Sequence, residues 1–145
     1  MRLRICRLDP GVPLPAYATT GAAGFDLAAA EDLVVRPYQV VLVRTGLVIE
    51  VPPDHFLGVF ARSSTPLRRG LIVANGVGVV DSDYSGPADE VKIQVLNVTD
   101  GDVQVRRGDR LAQGIVLPAP RVTWHEVAAS DLGTASRGGF GATGT

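Results

Sequence analysis

Residues 70–86 read GLIVANGVGVVDSDYSG, and this stretch is typical of the way in which most of the chain is organised. Two short apolar runs, LIVA (71–74) and VGVV (77–80), flank the dipeptide Asn75-Gly76. That dipeptide between apolar runs is the strongest short-range signal for a β-hairpin. The runs are too short for helices and are rich in β-branched valine, which favours strands. The stretch therefore predicts two strands joined by a tight turn.

Similar short runs, separated by Gly, Pro, Asn and Asp, occur along the rest of the chain. They are RLRICRL, DLVV, QVVLVRTGLVIEV, HFLGVFA, EVKIQVLNV, DVQV, RLAQGIVL and RVTWHEV. Val91, Ile93 and Val95 alternate with more polar neighbours, as in a strand with one buried face. No segment sustains the 3.6-residue period of a helix. The sequence therefore predicts an all-β domain, a sandwich or jelly-roll-like barrel, over residues 1–135.

One short helix is expected near SSTPLRRG. Ser64 or Thr65 can cap it, Pro66 suits its first turn, and Gly70 can end it. Arg68 and Arg69 are expected on its solvated face.

Composition narrows the function. The 145-residue chain has a net charge of -1, which gives no global attraction to nucleic acid or to a membrane surface. Cys6 is the only cysteine, so an intrachain disulfide is excluded and a reducing compartment is indicated. Two separated histidines, His55 and His125, make a zinc site improbable. No apolar run reaches membrane-spanning length, so we expect a soluble, cytoplasmic protein.

Five stretches contain polar or glycine residues that a plain β-protein does not require. They are AAGFDLAA (22–29), ARSSTP (61–66), NGVGVVDSDYSG (75–86), RGDRLAQGIV (107–116) and SRGGFGATG (136–144). Each alone has a structural explanation: an aspartate beside glycine organises turns, and a glutamine can simply lie in a strand. Together, in this order, they resemble the five motifs of the trimeric dUTPase family over nearly the whole chain.

The resemblance implies an enzyme that hydrolyses dUTP to dUMP and pyrophosphate with Mg²⁺. Such an enzyme keeps uracil out of DNA and supplies dUMP for thymidylate synthesis. It also implies a homotrimer whose active sites are shared between subunits. Asp81 matches the general base that activates the attacking water, and Tyr84 matches the ring under the deoxyribose that excludes a ribose 2′-hydroxyl. Asp83, between them, is expected to be exposed.

The remaining site residues also follow from the resemblance. Uracil is expected to be recognised by Asn75 and the backbone of Gly76, Gly78 and Val79. The phosphates are expected to meet Arg62, Ser63, Ser64 and Gln113. Asp26 matches the carboxylate that reaches magnesium through a bound water, while the substrate phosphates hold the ion otherwise.

Residues 136–145 match a flexible C-terminal lid. Arg137 would meet the terminal phosphates and Phe140 would stack on uracil, while Gly138, Gly139, Gly141 and Thr143 would surround the anion. Two departures from the family pattern stand out. Ala142 replaces a usual serine, and residues 87–89 (PAD) indicate an additional small loop.

Two alternatives remain at this level. A dCTP deaminase-like or bifunctional enzyme of the same fold would need a glutamate in its pocket. Glu31, Glu50, Glu90 and Glu126 are the only glutamates, and none lies in the predicted uracil hairpin. A non-catalytic, nucleotide-binding regulatory trimer would bind without hydrolysis, but the presence of Asp81 and Tyr84 argues against it.

Overall fold

Strands provide most of the regular structure in the computed structural model, which describes residues 1–133, 135, 136 and 138. Eleven strands are present in this part of the chain: β1 (Arg4–Arg7), β2 (Phe25–Ala28), β3 (Leu33–Val35), β4 (Val40–Arg44), β5 (Leu47–Glu50), β6 (His55–Ala61), β7 (Leu71–Val73), β8 (Gly78–Val80), β9 (Lys92–Asn97), β10 (Val103–Val105) and β11 (Arg110–Pro118). One α-helix, α1 (Ser64–Arg69), and a 3-10 turn (Ala129–Asp131) complete the elements. The all-β prediction with one short helix is confirmed.

The strands form four antiparallel groups. A four-stranded sheet has the order β2-β11-β6-β8, and a three-stranded sheet has the order β4-β9-β7. Two pairs, β1-β5 and β10-β3, complete the set. One cluster of buried apolar side chains takes members from all four groups, including Leu27, Ile49, Leu57, Ile93 and Val105. Burial of a shared core therefore joins the sheets into one body.

The alternation predicted around Ile93 is confirmed. Val91, Ile93 and Val95 are buried, whereas Lys92 is exposed. This strand lies at the centre of its sheet between β4 and β7, so one of its faces must pack on the core.

Helix α1 differs from expectation at its start. Its N-cap is Ser63, whose side chain makes no capping hydrogen bond. Thr65 instead is buried and donates its hydroxyl hydrogen to the carbonyl of Leu111, 3.0 Å away, which ties the helix to β11. Gly70 ends the helix as predicted, with φ +65° and its N–H bonded to the carbonyl of Pro66.

The predicted hairpin around Asn75-Gly76 is wrong in one respect. The turn is present, with Gly76 at φ +72° and its N–H donating to the carbonyl of Val73. However, β7 pairs with β9 while β8 pairs with β6, so the two strands lie in different sheets. The turn therefore carries the chain from one sheet to the other, which a local sequence signal cannot indicate.

Two further expectations need correction. RVTWHEV is not a strand, and Trp124 in it is 93% exposed, because residues 121–128 pair with nothing in the described part of the chain. A lone cysteine in the RLRICRL run would ordinarily be expected to pack in the first strand as a small apolar residue; Cys6 does lie in β1 but is exposed.

Candidate active site

Two of the predicted phosphate-site residues, Arg62 and Gln113, meet the predicted magnesium residue Asp26 at one end of the four-stranded sheet. Asp26 on β2 pairs directly with Gln113 on β11, and the next strand, β6, ends one residue before Arg62. Residues opposite each other in an antiparallel pair share a face. Arg62 reaches across to Asp26, with Nε 2.7 Å from Oδ1. The sheet therefore assembles side chains that are far apart in sequence.

Arg110 is part of this cluster although the sequence did not single it out. Its Nη1 lies 2.9 Å from Asp26 Oδ2, and its backbone carbonyl accepts a hydrogen bond from Arg62 Nη1 at 3.3 Å. The Asp26 carboxylate is thus held between two guanidinium groups. The only sequence feature that could have indicated a role for Arg110 is its place in RGDRLAQ, three residues before Gln113.

A polar cleft of about 350 Å³ lies beside this cluster. Its lining contains four arginines and one aspartate: Arg62, Arg68, Arg69, Arg110 and Asp109, together with Ser64, Thr65 and Gly108. This excess of cationic groups in a concave surface suits a polyanionic ligand.

Arg69 does not simply lie on a solvated helix face. Both of its terminal nitrogens donate to the Asp109 carboxylate at 2.7 Å. This bidentate pair lowers the pKa of Asp109, and a hydrogen bond from the backbone N–H of Arg106 adds to the effect against the opposing effect of burial. Arg68 is exposed, as expected.

The serines and the glutamine are less tightly engaged. Ser63 is exposed at the N-cap of α1, and Ser64 Oγ accepts a long 3.4 Å contact from Arg62. Gln113 Nε2 donates to the carbonyl of Ala61 at 3.0 Å. This is the backbone contact expected of a glutamine that simply lies in a strand. This bond also holds the amide next to Arg62.

The predicted uracil-recognition residues lie in β8 and in the turn that precedes it, at the opposite edge of the same sheet. Because β8 pairs only with β6 in the described part of the chain, its outer backbone N–H and C=O groups are unpaired there. Val79 is 61% exposed along this edge. A Cβ at Gly78 would lie only 3.0 Å from Val59 Cβ, so β8 and β6 approach closely there, whereas Gly76 has open space around it.

Asp81 and Tyr84 lie in the loop that follows β8. The N–H of Tyr84 donates to the carbonyl of Asp81 at 3.2 Å, and its hydroxyl donates to the carbonyl of Glu90 at 3.4 Å. Tyr84 is 42% exposed, and Asp83 is exposed as predicted. Asp81 borders a hollow of about 550 Å³ whose other lining residues include Asp54, His55 and Arg121.

These two groups of residues are separated within one chain. Leu57 of β6 pairs with Val80, so Asp81 lies beside the first residues of β6, whereas Arg62 follows its last residue. Six residues of extended strand correspond to about 20 Å. We call the residues around Asp26 and Arg62 the phosphate half, and those around β8, Asp81 and Tyr84 the base half.

The side chains around Asp26 suit a magnesium ion that the protein contacts through a bound water rather than through a set of direct ligands. Across residues 1–133, 135, 136 and 138, no group of three His, Cys, Asp or Glu side chains could hold a metal ion. Each Asp26 oxygen accepts from one guanidinium and retains a lone pair that can accept from a metal-bound water. The residues present therefore fit a magnesium ion held mainly by phosphate oxygens.

Most of the predicted lid lies outside the described residues: Arg137, Gly139, Phe140, Gly141 and Thr143. Of its glycines, Gly138 is described. Its φ is +77°, a left-handed conformation that favours glycine, and its N–H donates to Ser136 Oγ at 3.3 Å. The loop expected at residues 87–89 is present as a turn, with Gly86 N–H donating to Asp89 Oδ2 at 2.7 Å.

The model of the dUTPase family matches residues 11–144. The chain belongs to the dUTPase family. The deoxyuridine 5′-triphosphate nucleotidohydrolase of Hydrogenobaculum sp. (strain Y04AAS1) is 40% identical over 147 aligned residues, which cover 99% of each chain. The dUTPase of Streptococcus mutans superimposes with a TM-score of 0.76 at 33% identity, covering 84% of this chain and 98% of that one.

The dUTPase fold is also shared with a more distant relative. The Staphylococcus bacteriophage 80alpha dUTPase, solved as a G164S mutant with dUpNHpp, has a TM-score of 0.87 at 20% identity over 99% of both chains. The jelly-roll-like prediction is therefore confirmed. These matches favour the dUTPase interpretation over the deaminase and regulatory alternatives. No helix among the described residues is long and apolar enough to cross a membrane.

Proposed function

We propose that this chain hydrolyses dUTP to dUMP and pyrophosphate, by in-line attack of a water activated by Asp81 on the α-phosphate. The observation that carries the proposal is the cationic cleft beside Asp26, Arg62 and Gln113, at the positions where the family motifs predict phosphate contacts. A relative from Hydrogenobaculum that aligns with 99% of this chain is named deoxyuridine 5′-triphosphate nucleotidohydrolase, which is this activity. A triphosphate is the substrate class that matches so concentrated a positive surface.

The phosphate half supplies positioning and charge compensation. Arg62, oriented by Asp26 and by the carbonyl of Arg110, is one of the residues that line the cleft. Preoriented cations stabilise the negative charge of a phosphoryl-transfer transition state without reorganising during the reaction. Magnesium bound to the phosphate oxygens would neutralise part of their charge and hold the triphosphate in one conformation.

The base half supplies the nucleophile and the selection of the nucleotide. Asp81 is exposed, so a water molecule can reach its carboxylate and lose a proton to it. The open backbone edge of β8 can complement the acceptor–donor–acceptor edge of uracil, with the Asn75 amide beside it. The partly exposed Tyr84 ring can pack under deoxyribose and leave no room for a 2′-hydroxyl.

A homotrimer with shared sites is part of the proposal. Asp81 and Arg62 of one chain lie about 20 Å apart along β6, too far to act on one phosphate. The Asp81 of one subunit would therefore face the phosphate half of a neighbour. Residues 119–133 expose apolar side chains that are available for packing in such an assembly, namely Val122, Trp124, Val127 and Leu132. Residues 136–145 would close over the bound nucleotide as a lid.

The test measures pyrophosphate release from dUTP, UTP, dTTP and dCTP with Mg²⁺, for the wild type and for Asp81→Asn. We expect rapid release from dUTP alone. Asp81→Asn should lower kcat by about 100-fold or more, because removing a positioned general base typically costs about 10²–10⁴-fold. Asp83→Asn is the matched control, since Asp83 is an exposed neighbour in the same loop, and it should keep its activity.

Three outcomes would contradict the proposal. Ammonia released from dCTP would support the deaminase alternative. Binding of dUTP without pyrophosphate release would support a regulatory protein. Turnover of UTP comparable to that of dUTP would contradict the role given to Tyr84.

A further inference from the structure

Glu90 is a buried carboxylate with no role in the proposed chemistry. It is 7% exposed and lies between the loop that carries Asp81 and Tyr84 and the start of β9. Glutamate is rarely buried unless it is paired, because removing a charge from water is costly. A buried glutamate beside a site loop therefore needs a structural partner.

The partners of Glu90 are at the end of β4 and in the turn between β4 and β5. Its Oε2 lies 3.0 Å from Arg44 Nε, and its Oε1 accepts a hydrogen bond from the N–H of Gly46 at 2.7 Å. The hydrogen bond with Glu90 raises the pKa of Arg44. In the next residue, the N–H of Val91 donates to the carbonyl of Leu47 at 2.8 Å. The end of the loop is thus attached to the core of the domain at successive residues.

The same residue contacts the site loop through its backbone. The Glu90 carbonyl accepts a hydrogen bond from the hydroxyl of Tyr84, whose N–H is bonded in turn to the carbonyl of Asp81. A continuous set of hydrogen bonds therefore runs from Asp81 through Tyr84 and Glu90 to the β4–β5 turn.

The turn at residues 86–89 cannot provide this attachment. The two hydrogen bonds that close it, from Gly86 N–H to Asp89 Oδ2 at 2.7 Å and from Asp89 N–H to the Gly86 carbonyl at 3.0 Å, both stay inside the turn. They shape the turn but do not fix it to a sheet. The Glu90 side chain supplies that attachment.

We propose that Glu90 is a positioning residue that sets the discrimination between deoxyribose and ribose by holding the Tyr84 ring through its backbone carbonyl. The inference rests on the proposed function, in which Tyr84 excludes the 2′-hydroxyl. Steric exclusion of one oxygen atom depends on the position of the ring to a fraction of an ångström. Weakening the Glu90 anchor therefore relaxes discrimination before it removes the chemistry, since the Asp81 carboxylate and the phosphate half keep all their atoms and, within the base half, only the Tyr84 hydroxyl is bonded to Glu90 itself.

The experiment compares kcat/KM for dUTP and for UTP in Glu90→Gln and in the wild type. The substitution keeps the shape of the side chain and removes its charge. We expect the dUTP/UTP ratio to fall roughly tenfold, with most of the change in the UTP value, because small displacements of a positioning surface have large kinetic effects. A role in stability alone would lower both values together and leave the ratio unchanged.

Glu31→Gln is the matched control. Glu31 also contacts Arg44, accepting from its backbone N–H at 3.2 Å, and so tests for a general loss of negative charge around Arg44. Its ratio should equal that of the wild type. Arg44→Gln, which leaves the Glu90 carboxylate bonded to Gly46 N–H, should shift the ratio in the same direction by a smaller amount.

The outcomes separate the two proposals. A wild type that does not hydrolyse dUTP overturns the proposed function. A wild type that does, with an unchanged ratio in folded Glu90→Gln, overturns this inference alone. If Glu90→Gln does not fold, an unchanged ratio in Arg44→Gln overturns the inference, and a lowered ratio supports it.

Discussion

At the scale of single residues, Gly70 shows a sequence signal that the structure explains fully. A glycine after a basic helical segment predicts a left-handed C-cap, and Gly70 has φ +65°. The structure adds a second constraint that the sequence cannot show. A Cβ at this position would overlap the Cγ2 atom of Thr99, which lies in the turn after β9.

Replacing Gly70 with alanine should therefore destabilise the domain by about 2–3 kcal/mol, combining the strain of a left-handed alanine with a steric clash. Urea unfolding at fixed protein concentration measures the change. Gly21→Ala is the control, because a Cβ there would enter open space and the φ of Gly21 is not in the left-handed range. Equal stability of the two variants would contradict the argument.

The arginines illustrate the opposite case at this scale. Arg62 was identified from its motif, whereas the roles of Arg69 and Arg110 depend on partners 40 and 84 residues away, Asp109 and Asp26. A local pattern cannot distinguish an arginine on a solvated face from one in a cleft, because the difference lies in which strand packs beside it.

At the scale of elements, the C-terminal segment beyond β11 is distinct from the rest of the domain. The described residues from 120 onward are exposed, in contrast with β11, whose central residues are buried or partly buried. A segment with so little burial gains no stability from its own domain. In the proposed trimer, packing on another subunit would give this segment the burial that its own domain does not provide.

Deletion of residues 136–145 should lower dUTP hydrolysis by about 100-fold or more, because in the proposed function this segment is a lid over the phosphates. The fold should stay intact, since all eleven strands in the described part of the chain end at or before Pro118. Pyrophosphate release and circular dichroism measure the two properties. The control is Thr145→Ala in the full-length chain, which leaves the motif at 136–144 unchanged and should keep full activity. A truncated protein with full activity would show that the segment is an unimportant terminus.

At the scale of the whole molecule, the separation of the base half from the phosphate half predicts complementation between variants. Asp81→Asn and Arg62→Ala should each be inactive alone. When equal amounts of the two chains are refolded together, mixed trimers contain sites with an intact Asp81 from one chain and an intact Arg62 from another. Random mixing should restore roughly a quarter of the wild-type sites.

The recovered activity is measured as pyrophosphate release after refolding, with light scattering to verify the assembly. Mixing the two variants without unfolding them is the control, because subunits that do not exchange should remain inactive. Absence of recovery in refolded trimers would show that Asp81 and Arg62 act within one chain, against the shared-site proposal.

The amino-acid sequence alone determined the all-β class, the position of the short helix, the C-cap at Gly70 and the motif residues, since these depend on local chain geometry and on the order of residue types. Only the tertiary structure decided that β7 and β8 belong to different sheets and that Asp26 lies between two arginines. It also decided that Glu90 is buried against the β4–β5 turn. Each of these depends on which distant strands pair, and pairing is decided by burial of a shared core that no local stretch contains.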